Sequence, residues 1–290
     1  MVSLLFAVVS QTAQVPTIVL SDGKSVAIRS CDVGTSQDMA RLKGSDADLI
    51  VIRFTTWGPE PESIANSLKN GPKGRRIVLV DFPAMAAHPK NALLWRNDWD
   101  PNGDGKLDHD APTWLRTRTP EGYYPMDSAS TALRSRLLGK TGLVSVVARA
   151  GFDGIVISTV PSTTRNLGMD ARLASDIMST GRSLREGFLT FMRNPGKMMD
   201  YPVIRNLMDG YVADGLFYGL DEVGKPSDPE FVKDSVKRLE WASKKRKPVI
   251  AVAYTTDPNQ VEEHKRLAVE SKFLPVTLPK RFDSAEALQR

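Results

Sequence analysis

A short acidic segment in the middle of the chain has the spacing of a calcium-binding loop. Residues 100–108, DPNGDGKLD, follow the D-x-[DN]-x-[DN]-G pattern, in which oxygen donors alternate before a glycine that permits a sharp turn. We therefore predict a structural Ca²⁺ ion that orders the surrounding loop. Its predicted ligands are Asp100, Asn102, Asp104, Lys106 through its main-chain carbonyl, and Asp108. Position 12 of the pattern, normally a bidentate Glu, is Ala111, so an Asx-rich turn that binds no metal is the alternative.

The same part of the chain concentrates large aromatic residues. It follows the third apolar run and extends over residues 83–129, a length typical of functional loops. Aromatic rings near a binding site could stack on the apolar faces of sugar rings, or they could form a small core beneath the loop. Both interpretations stay open for these residues: Trp95, Trp99, Trp114, Tyr123 and Tyr124.

The elements that must position such residues appear as eight short apolar runs separated by polar loops and amphipathic stretches. The runs are 25–29, 48–54, 77–82, 154–159, 202–205, 215–218, 248–254 and 273–277. The helical stretches are 36–42, 60–68, 130–150, 170–193, 228–243 and 259–271. This alternation predicts an α/β fold, a single (β/α)8 TIM barrel over 25–290 with a long loop after strand 3. A doubly wound open sheet is the alternative, although the chain has no glycine-rich dinucleotide turn.

Polar residues follow many of these runs. In a (β/α)8 barrel the chemistry lies at the carboxyl ends of the strands, so these residues are the candidates for a binding or catalytic site. They are Arg53, Asp81, Ser158, Thr159, Asn206, Asp214, Tyr218 and Tyr254. Asp153 precedes its strand instead, which predicts a structural role at the opposite end of the barrel.

Several of these segments, taken in order, resemble a known family. They are AGFDGIVIST (150–159), Asn206, GLFYG (215–219), the Lys-Pro and apolar run ending in Tyr254, and FLPVTLPKRFD (273–283). The chain resembles the glycoside hydrolase family 114-like barrels, the group related to endo-α-1,4-polygalactosaminidase. This resemblance covers most of residues 25–285. It implies a (β/α)8 barrel that acts on amino-sugar or related polysaccharides without a catalytic cofactor.

The chain departs from the family pattern where the carboxylates should be. Ser158 stands where the family usually carries an Asp, and Asp214 is the nearest acid to a usual Glu. Glycoside hydrolysis normally needs two carboxyl groups, one as proton donor and one as nucleophile or base. If the chain hydrolyses glycosides, we expect Asp214 to be one member of the pair and Asp81 or Glu222 the other. The alternative is a catalytically degenerate barrel that binds polysaccharide without turnover.

Substrate contacts are expected from the strand ends and from aromatic residues. The predicted contacts are Arg53, Trp57, Trp99, Trp114, Tyr124, Ser158, Asn206, Tyr218 and Tyr254. The expected partner is therefore a carbohydrate polymer. Reducing-end release by the protein would select the enzyme, and glycan binding without turnover would select the binding module.

Composition excludes several other classes of protein. The net charge of +5 is spread over a long chain, and its basic runs at 73–76 and 244–247 precede apolar strands, so no nucleic-acid partner is expected. The single Cys31 excludes an internal disulfide, and no stretch reaches the ~20 apolar residues of a membrane span. Residues 1–14 resemble the end of a signal peptide without its basic start. The expected location is secreted or the cell envelope, with the cytoplasm as the alternative.

Overall fold

The chain folds around one central parallel sheet. The computed structural model describes residues 15–20, 25–55, 61–89, 91–119, 122–159 and 166–281. The eight strands are β1 (Cys31–Thr35), β2 (Leu49–Arg53), β3 (Ile77–Phe82), β4 (Gly154–Ser158), β5 (Leu189–Arg193), β6 (Gly210–Asp214), β7 (Val249–Tyr254) and β8 (Leu274–Leu278). Each strand pairs in parallel with the next along the chain, and β8 lies beside β1. The sheet is a nearly closed (β/α)8 TIM barrel, as predicted.

Helices alternate with these strands and surround them. They are α1 (Met39–Gly44), α2 (Pro61–Lys69), α3 (Thr131–Leu138), α4 (Leu143–Arg149), α5 (Leu167–Leu184), α6 (Pro202–Leu207), α7 (Pro229–Lys244) and α8 (Pro258–Glu270). The last two long helices begin as their sequences dictate. Asp228 and Asp257 accept main-chain N–H groups of the first turn, and each is followed by a proline at the first helical position. No helix within the described ranges has the length and apolar content to cross a membrane.

Three of the predicted barrel strands are wrong in position. Ser25–Ala27 pairs antiparallel with Thr17–Val19 in a hairpin outside the barrel sheet, and the first barrel strand starts at Cys31. The predicted fifth strand at 202–205 is helix α6, because Pro202 occupies its first turn, where proline is favourable. The run at 215–218 belongs to the loop after β6.

Two predicted helices also end earlier than expected. The helix predicted over 170–193 stops at Leu184, and Gly187 adopts a left-handed φ of 69° before β5 begins. The helix predicted over 130–150 is divided into α3 and α4 by a short segment that contains Gly139 and Gly142. The true fifth strand was therefore hidden inside an apolar stretch that continues the helical pattern.

The barrel core follows the two-residue period of its strands, in which alternate side chains point to opposite faces. One buried cluster fills the barrel interior and includes Val33, Val51, Leu79, Val156, Phe191, Val212 and Val252. Ile18, Val26 and Ile28 belong to the same cluster, so the hairpin covers the bottom of the barrel. The intervening strand residues, such as Ile52 and Val80, pack against the helices in a second cluster. Side chains two residues beyond the inner cluster must therefore also point inward, at the carboxyl ends of the strands.

The long loop after β3 folds back on its own starting point. Ala86–Ala87 pairs antiparallel with Tyr124–Pro125 near the end of the loop, and a single 3-10 turn lies at Asn97–Trp99. The loop therefore returns to the carboxyl end of β3, close to the mouth of the barrel.

Candidate functional site

Six of the side chains that turn inward at the strand ends form one polar group at the top of the barrel interior, which we call the mouth network. They are Arg53 of β2, Asp81 of β3, Ser158 of β4, Arg193 of β5, Asp214 of β6 and Tyr254 of β7. Each stands two residues after an apolar residue of the inner cluster, so the strand period turns all six inward. Parallel strands end at one edge, which brings these residues from distant parts of the sequence together.

The centre of the mouth network is the carboxylate of Asp81, which is 1% exposed. Arg53 Nε donates to its Oδ2 at 2.6 Å, and Ser158 Oγ donates to its Oδ1 at 2.6 Å. Arg193 Nη2 lies 3.2 Å from the same Oδ1. Both oxygens of Asp81 are thus occupied by charged or polar donors of the protein itself.

These contacts decide the protonation of Asp81. Burial alone would raise the pKa of its carboxyl, but the positive charges of Arg193 and Arg53 and the hydrogen bonds from Ser158 and Arg53 outweigh burial. The net result is a pKa of Asp81 below its ordinary value. Asp81 is therefore ionised at neutral pH and cannot donate a proton to a leaving group.

Arg193 connects this buried pair to a second carboxylate, that of Asp214. Its Nη1 lies 3.8 Å from Asp214 Oδ2, while the Tyr254 hydroxyl donates to Asp214 Oδ1 at 2.5 Å. Burial alone would lower the pKa of the Arg193 guanidinium. The negative charges of Asp81 and Asp214 outweigh burial and hold this pKa above its ordinary value. The Asp214 side chain is 19% exposed, in contrast to the fully enclosed Asp81. Asp214 is the carboxylate of the mouth network that a ligand can reach.

The backbone around Asp214 is fixed by Asn194, the residue that directly follows β5. Asn194 adopts a left-handed φ of 45°, and its side-chain oxygen accepts the Asp214 N–H at 2.7 Å. The Asn194 amide also donates to the Asp214 carbonyl at 3.2 Å. Thr159 follows β4 and donates to the carbonyls of Arg193 and Asn194, both at 2.8 Å. This part of the mouth is cross-linked by side-chain to main-chain hydrogen bonds and lined by partly exposed polar groups.

Two further side chains approach the mouth from outside the strands. Tyr123, near the end of the long loop, lies close enough to Arg53 and Arg193 for its ionised phenol to raise the pKa of both, and its ring packs against that of His88 at 4.8 Å between centroids. Arg281, beyond β8, donates to the carbonyl of Gly219 at 3.1 Å and lies 5.9 Å from the Tyr254 ring centroid. Tyr123 and Arg281 thus lie at the rim of the mouth, beside the strand ends.

The aromatic residues predicted to stack on sugar form a small core instead. Ring centroids lie 4.7 Å apart for Trp95 and Tyr124, 5.5 Å for Trp95 and Trp99, and 5.6 Å for Trp99 and Trp114. Tyr124 is fully buried, and Trp99 and Trp114 are buried as well. The structure favours the other interpretation of these three residues, a small core beneath the loop, because their rings pack against one another and are buried.

Two other predicted site residues do not place their side chains in the mouth network. Asn206 is the penultimate residue of α6 and lines a cavity of about 390 Å³ with Leu189, the first residue of β5, and Pro248, which directly precedes β7, so it is at the barrel bottom. Tyr218 follows β6, and its carbonyl accepts the Tyr254 N–H at 3.1 Å. Its side chain lies near α8 instead of in the mouth network, because burial and the negative charges of Glu263 and Asp257 raise its pKa.

The last predicted catalytic residue, Glu222, does not join the mouth network. Glu222 is exposed in the loop after β6, where its carbonyl accepts the Lys225 N–H, and no described contact joins its side chain to Asp81 or Asp214. Trp57, the remaining predicted substrate contact, lies outside the described residues.

Arg193, Asn194 and Tyr123 were missed as site residues from the sequence. Arg193 and Asn194 follow the apolar run Leu189–Met192, which has the composition of a buried strand, but the run was assigned to a helix. A break in the helical pattern at Gly187 was the available signal. The sequence marks Tyr123 only as one of the aromatic residues of the long loop.

Comparison with known proteins supports the fold. No family model matches the chain, and no curated protein sequence matches it. The structure of the glycoside hydrolase domain of PelA from Pseudomonas aeruginosa superposes with a TM-score of 0.59 at 15% identity, covering 89% of this chain and 98% of that domain. A variant of the same domain gives a TM-score of 0.59 at 15% identity over 88% of this chain and 96% of that domain. The chain therefore has a glycoside hydrolase-like TIM barrel fold.

Proposed function

We propose that the barrel mouth binds a carbohydrate polymer and does not hydrolyse it. The observation that carries this proposal is the enclosure of Asp81 between Arg53 and Arg193, with Asp214 as the accessible carboxylate. The glycoside hydrolase-like barrel provides the strand-end mouth in which such proteins bind sugars.

The absence of turnover follows from the chemistry of glycosidic bonds. Their hydrolysis normally requires one carboxyl group that holds a proton and another that is free to attack or to activate water. Asp81 meets neither requirement, because its pKa is lowered and both of its oxygens accept hydrogen bonds or ion pairs. Loss of one positioned acid or base costs about 10²–10⁴-fold in rate.

Sugar binding is supported by the groups that line the rim. Asp214, Asn194 and Thr159 are partly exposed and supply carboxylate, amide and hydroxyl groups, which pair with sugar hydroxyls. A carboxylate is also a suitable partner for the ammonium group of an amino sugar. We infer an amino-sugar polysaccharide as the ligand, which agrees with the family resemblance of the sequence.

Hydrolysis at Asp214 is the second candidate function. It is favoured by one specific observation, the hydrogen bond from the Tyr254 hydroxyl to an accessible carboxylate at the barrel mouth. In this case Asp214 would act with a group that the substrate itself supplies, as in substrate-assisted glycosidases.

The two candidates separate in one experiment with a partly deacetylated α-1,4-linked galactosamine polymer. Binding is measured by calorimetry, and hydrolysis by the appearance of reducing ends over time. We expect the wild type to bind the polymer and to release no reducing ends. Asp214→Asn is expected to weaken binding about tenfold, because a hydrogen bond to a charged group is lost.

Asp221→Asn provides the matched control, since Asp221 is an exposed carboxylate in the loop directly after β6. Its binding should equal that of the wild type. Release of reducing ends that Asp214→Asn abolishes would establish the hydrolase instead. A wild type that neither binds nor cleaves amino-sugar polymers would overturn carbohydrate recognition at the mouth.

A further inference from the structure

Outside the barrel mouth, the loop at residues 100–108 has an unusual carboxylate. Asp100 is only 9% exposed, and its Oδ1 atom is buried without a hydrogen-bond partner. Its other oxygen, Oδ2, accepts the Gly105 N–H at 3.1 Å and the Tyr124 hydroxyl at 2.5 Å. Burying a carboxylate oxygen without a partner destabilises the folded state, so a positively charged ligand at Asp100 Oδ1 would be favourable.

Arg118, a cation beside this loop, does not fill this role. Arg118 Nη1 donates to the Gly103 carbonyl at 3.3 Å, and its side chain packs near Gly105. Its charge therefore lies beside the loop, while Asp100 Oδ1 is left without a hydrogen bond.

The loop around Asp100 has the chemistry of a hard-cation site. We propose that residues 100–108 bind one Ca²⁺ ion, with Asp100 Oδ1 as the buried ligand. Further oxygen donors come from Asn102, Asp104 and the Lys106 carbonyl, and Asp108 stands at the position that often acts through water. All of these donors are oxygen atoms, which favours Ca²⁺ over metals that prefer nitrogen or sulfur.

The described residues contain no group of three or more His, Cys, Asp or Glu side chains gathered as metal ligands. Asp100, Asp104 and Asp108 are therefore not gathered around one point in this structure, and the proposed site forms when the exposed Asp104 and Asp108 side chains turn towards Asp100, with amide and main-chain carbonyl oxygens completing the coordination. Asp104 Oδ1 accepts the Lys106 N–H at 2.8 Å, and its side chain is exposed, so it can turn towards an ion without disturbing the core. Gly105 adopts a φ of 87°, the sharp turn that this type of loop needs after its fifth position.

The ion would stabilise more than its own loop. Asp100 binds Tyr124, Tyr124 packs on Trp95, and the adjacent Tyr123 reaches the arginines of the mouth. Neutralising Asp100 would therefore strengthen the anchoring of the segment that brings Tyr123 to the rim. The proposed ion is independent of whether the mouth binds or cleaves carbohydrate.

The test is calorimetric titration of Ca²⁺ into the full chain after removal of metal with a chelator, with Tb³⁺ luminescence as a second readout. Trp99 lies next to the loop in sequence and can sensitise Tb³⁺. We expect one ion per chain and a higher melting temperature in Ca²⁺. Asp104→Asn is expected to bind Ca²⁺ at least about tenfold more weakly, because affinity follows the charge of the ligands.

Asp98→Asn is the matched control, since Asp98 is an exposed carboxylate that pairs with Arg96 just before the loop. It should bind Ca²⁺ as the wild type does. The proposal is overturned if the wild type shows neither binding heat nor Tb³⁺ luminescence at millimolar metal. It is equally overturned if Asp104→Asn and Asp98→Asn bind with the same affinity as the wild type.

Discussion

The two ends of the barrel each hold a buried aspartate between two arginines. At the mouth, Asp81 contacts Arg53 and Arg193, with Ser158 as an additional donor. At the bottom, Asp153 Oδ1 lies 2.6 Å from Arg75 Nη2 and 3.1 Å from Arg185 Nη2.

The surroundings of the two aspartates differ. The Arg75 and Arg185 side chains are each 23% exposed, whereas those of Arg53 and Arg193 are 3% and 7% exposed. The bottom arrangement also holds the backbone, because Asp153 Oδ2 accepts the Val78 N–H at 2.9 Å. It is a structural clamp at the edge of the barrel, as its position before β4 predicted.

The mouth repeats this arrangement where a glycosidase would need a reactive acid. Only the mouth extends it, through Arg193, to the partly exposed Asp214. The comparison teaches that Asp81 has the environment of a structural residue, while Asp214 keeps the environment of a ligand-binding one.

Removing the charge of Asp81 should have the largest effect on stability. Asp81→Asn leaves two enclosed arginines without their counter-charge, and we expect a loss of about 3–5 kcal/mol in the free energy of unfolding. Asp153→Asn should cost less, about 1–3 kcal/mol, because water can reach its arginines. Urea unfolding of both variants measures the difference. An Asp81 variant more stable than the Asp153 variant would contradict the assignment of Asp81 as the more enclosed clamp.

The stability contribution of Asp81 should also depend on pH. Its folded-state pKa is lowered, so the ionised carboxylate stabilises the fold above the unfolded-state pKa of about 3.9. This contribution is lost as the pH falls through the lower folded-state pKa. The difference in unfolding free energy between wild type and Asp81→Asn should be constant near neutral pH and shrink below about pH 4. A difference that already shrinks near pH 6 would show that Asp81 holds a proton there.

Ser158→Ala should have a smaller effect on the same clamp. It removes one hydrogen bond to an ionised carboxylate and leaves both arginine contacts in place, for an expected loss of about 1.5–3 kcal/mol. Polymer binding at Asp214 should stay within error of the wild type. A large loss of polymer binding with little loss of stability would show that Ser158 contacts the ligand and does not act mainly on the Asp81 clamp.

Tyr254→Phe should have the smallest effect on stability and a clear effect on binding. The Tyr254 hydroxyl donates to the partly exposed Asp214, where water can replace it, so we expect a loss of about 0.5–1.5 kcal/mol in unfolding free energy. Polymer affinity should fall, because Asp214 loses the group that orients it. An unchanged affinity for the polymer would show that the Tyr254 hydroxyl does not contribute to binding.

Much of the fold could be predicted from the sequence because the pattern of apolar runs is strong. The runs at β2, β3, β4, β7 and β8 are fully or largely apolar, and each was assigned to the correct strand. The run at β5 could not be separated from α5, since its apolar residues continue the helical spacing. The first strand was displaced because Cys31–Thr35 contains Asp, Gly and Thr and is less apolar than the neighbouring run at 25–29. The sixth was displaced because the run at 215–218 is more apolar than Gly210–Asp214.

The errors in the site follow from these errors in the strands. Arg53, Asp81, Ser158 and Tyr254 lie on correctly placed strands, and the structure brings all four together. Arg193 was missed because its strand was read as helix, although it is the residue that links the two carboxylates. Burial of the loop aromatics could not be predicted, since stacking on sugar and packing beneath a loop require the same residue types.

The ionisation of Asp81 is the property on which the non-hydrolytic assignment depends, and it can be measured directly. The ¹³C carboxyl resonance of Asp81, identified by its loss in Asp81→Asn, would be followed from neutral to acidic pH by NMR. We predict a titration midpoint below the ordinary value of about 3.9, as expected for a carboxylate held by Arg53 and Arg193. A midpoint near about 6, the range of a glycosidase proton donor, would contradict the structural role of Asp81 and restore it as a catalytic acid.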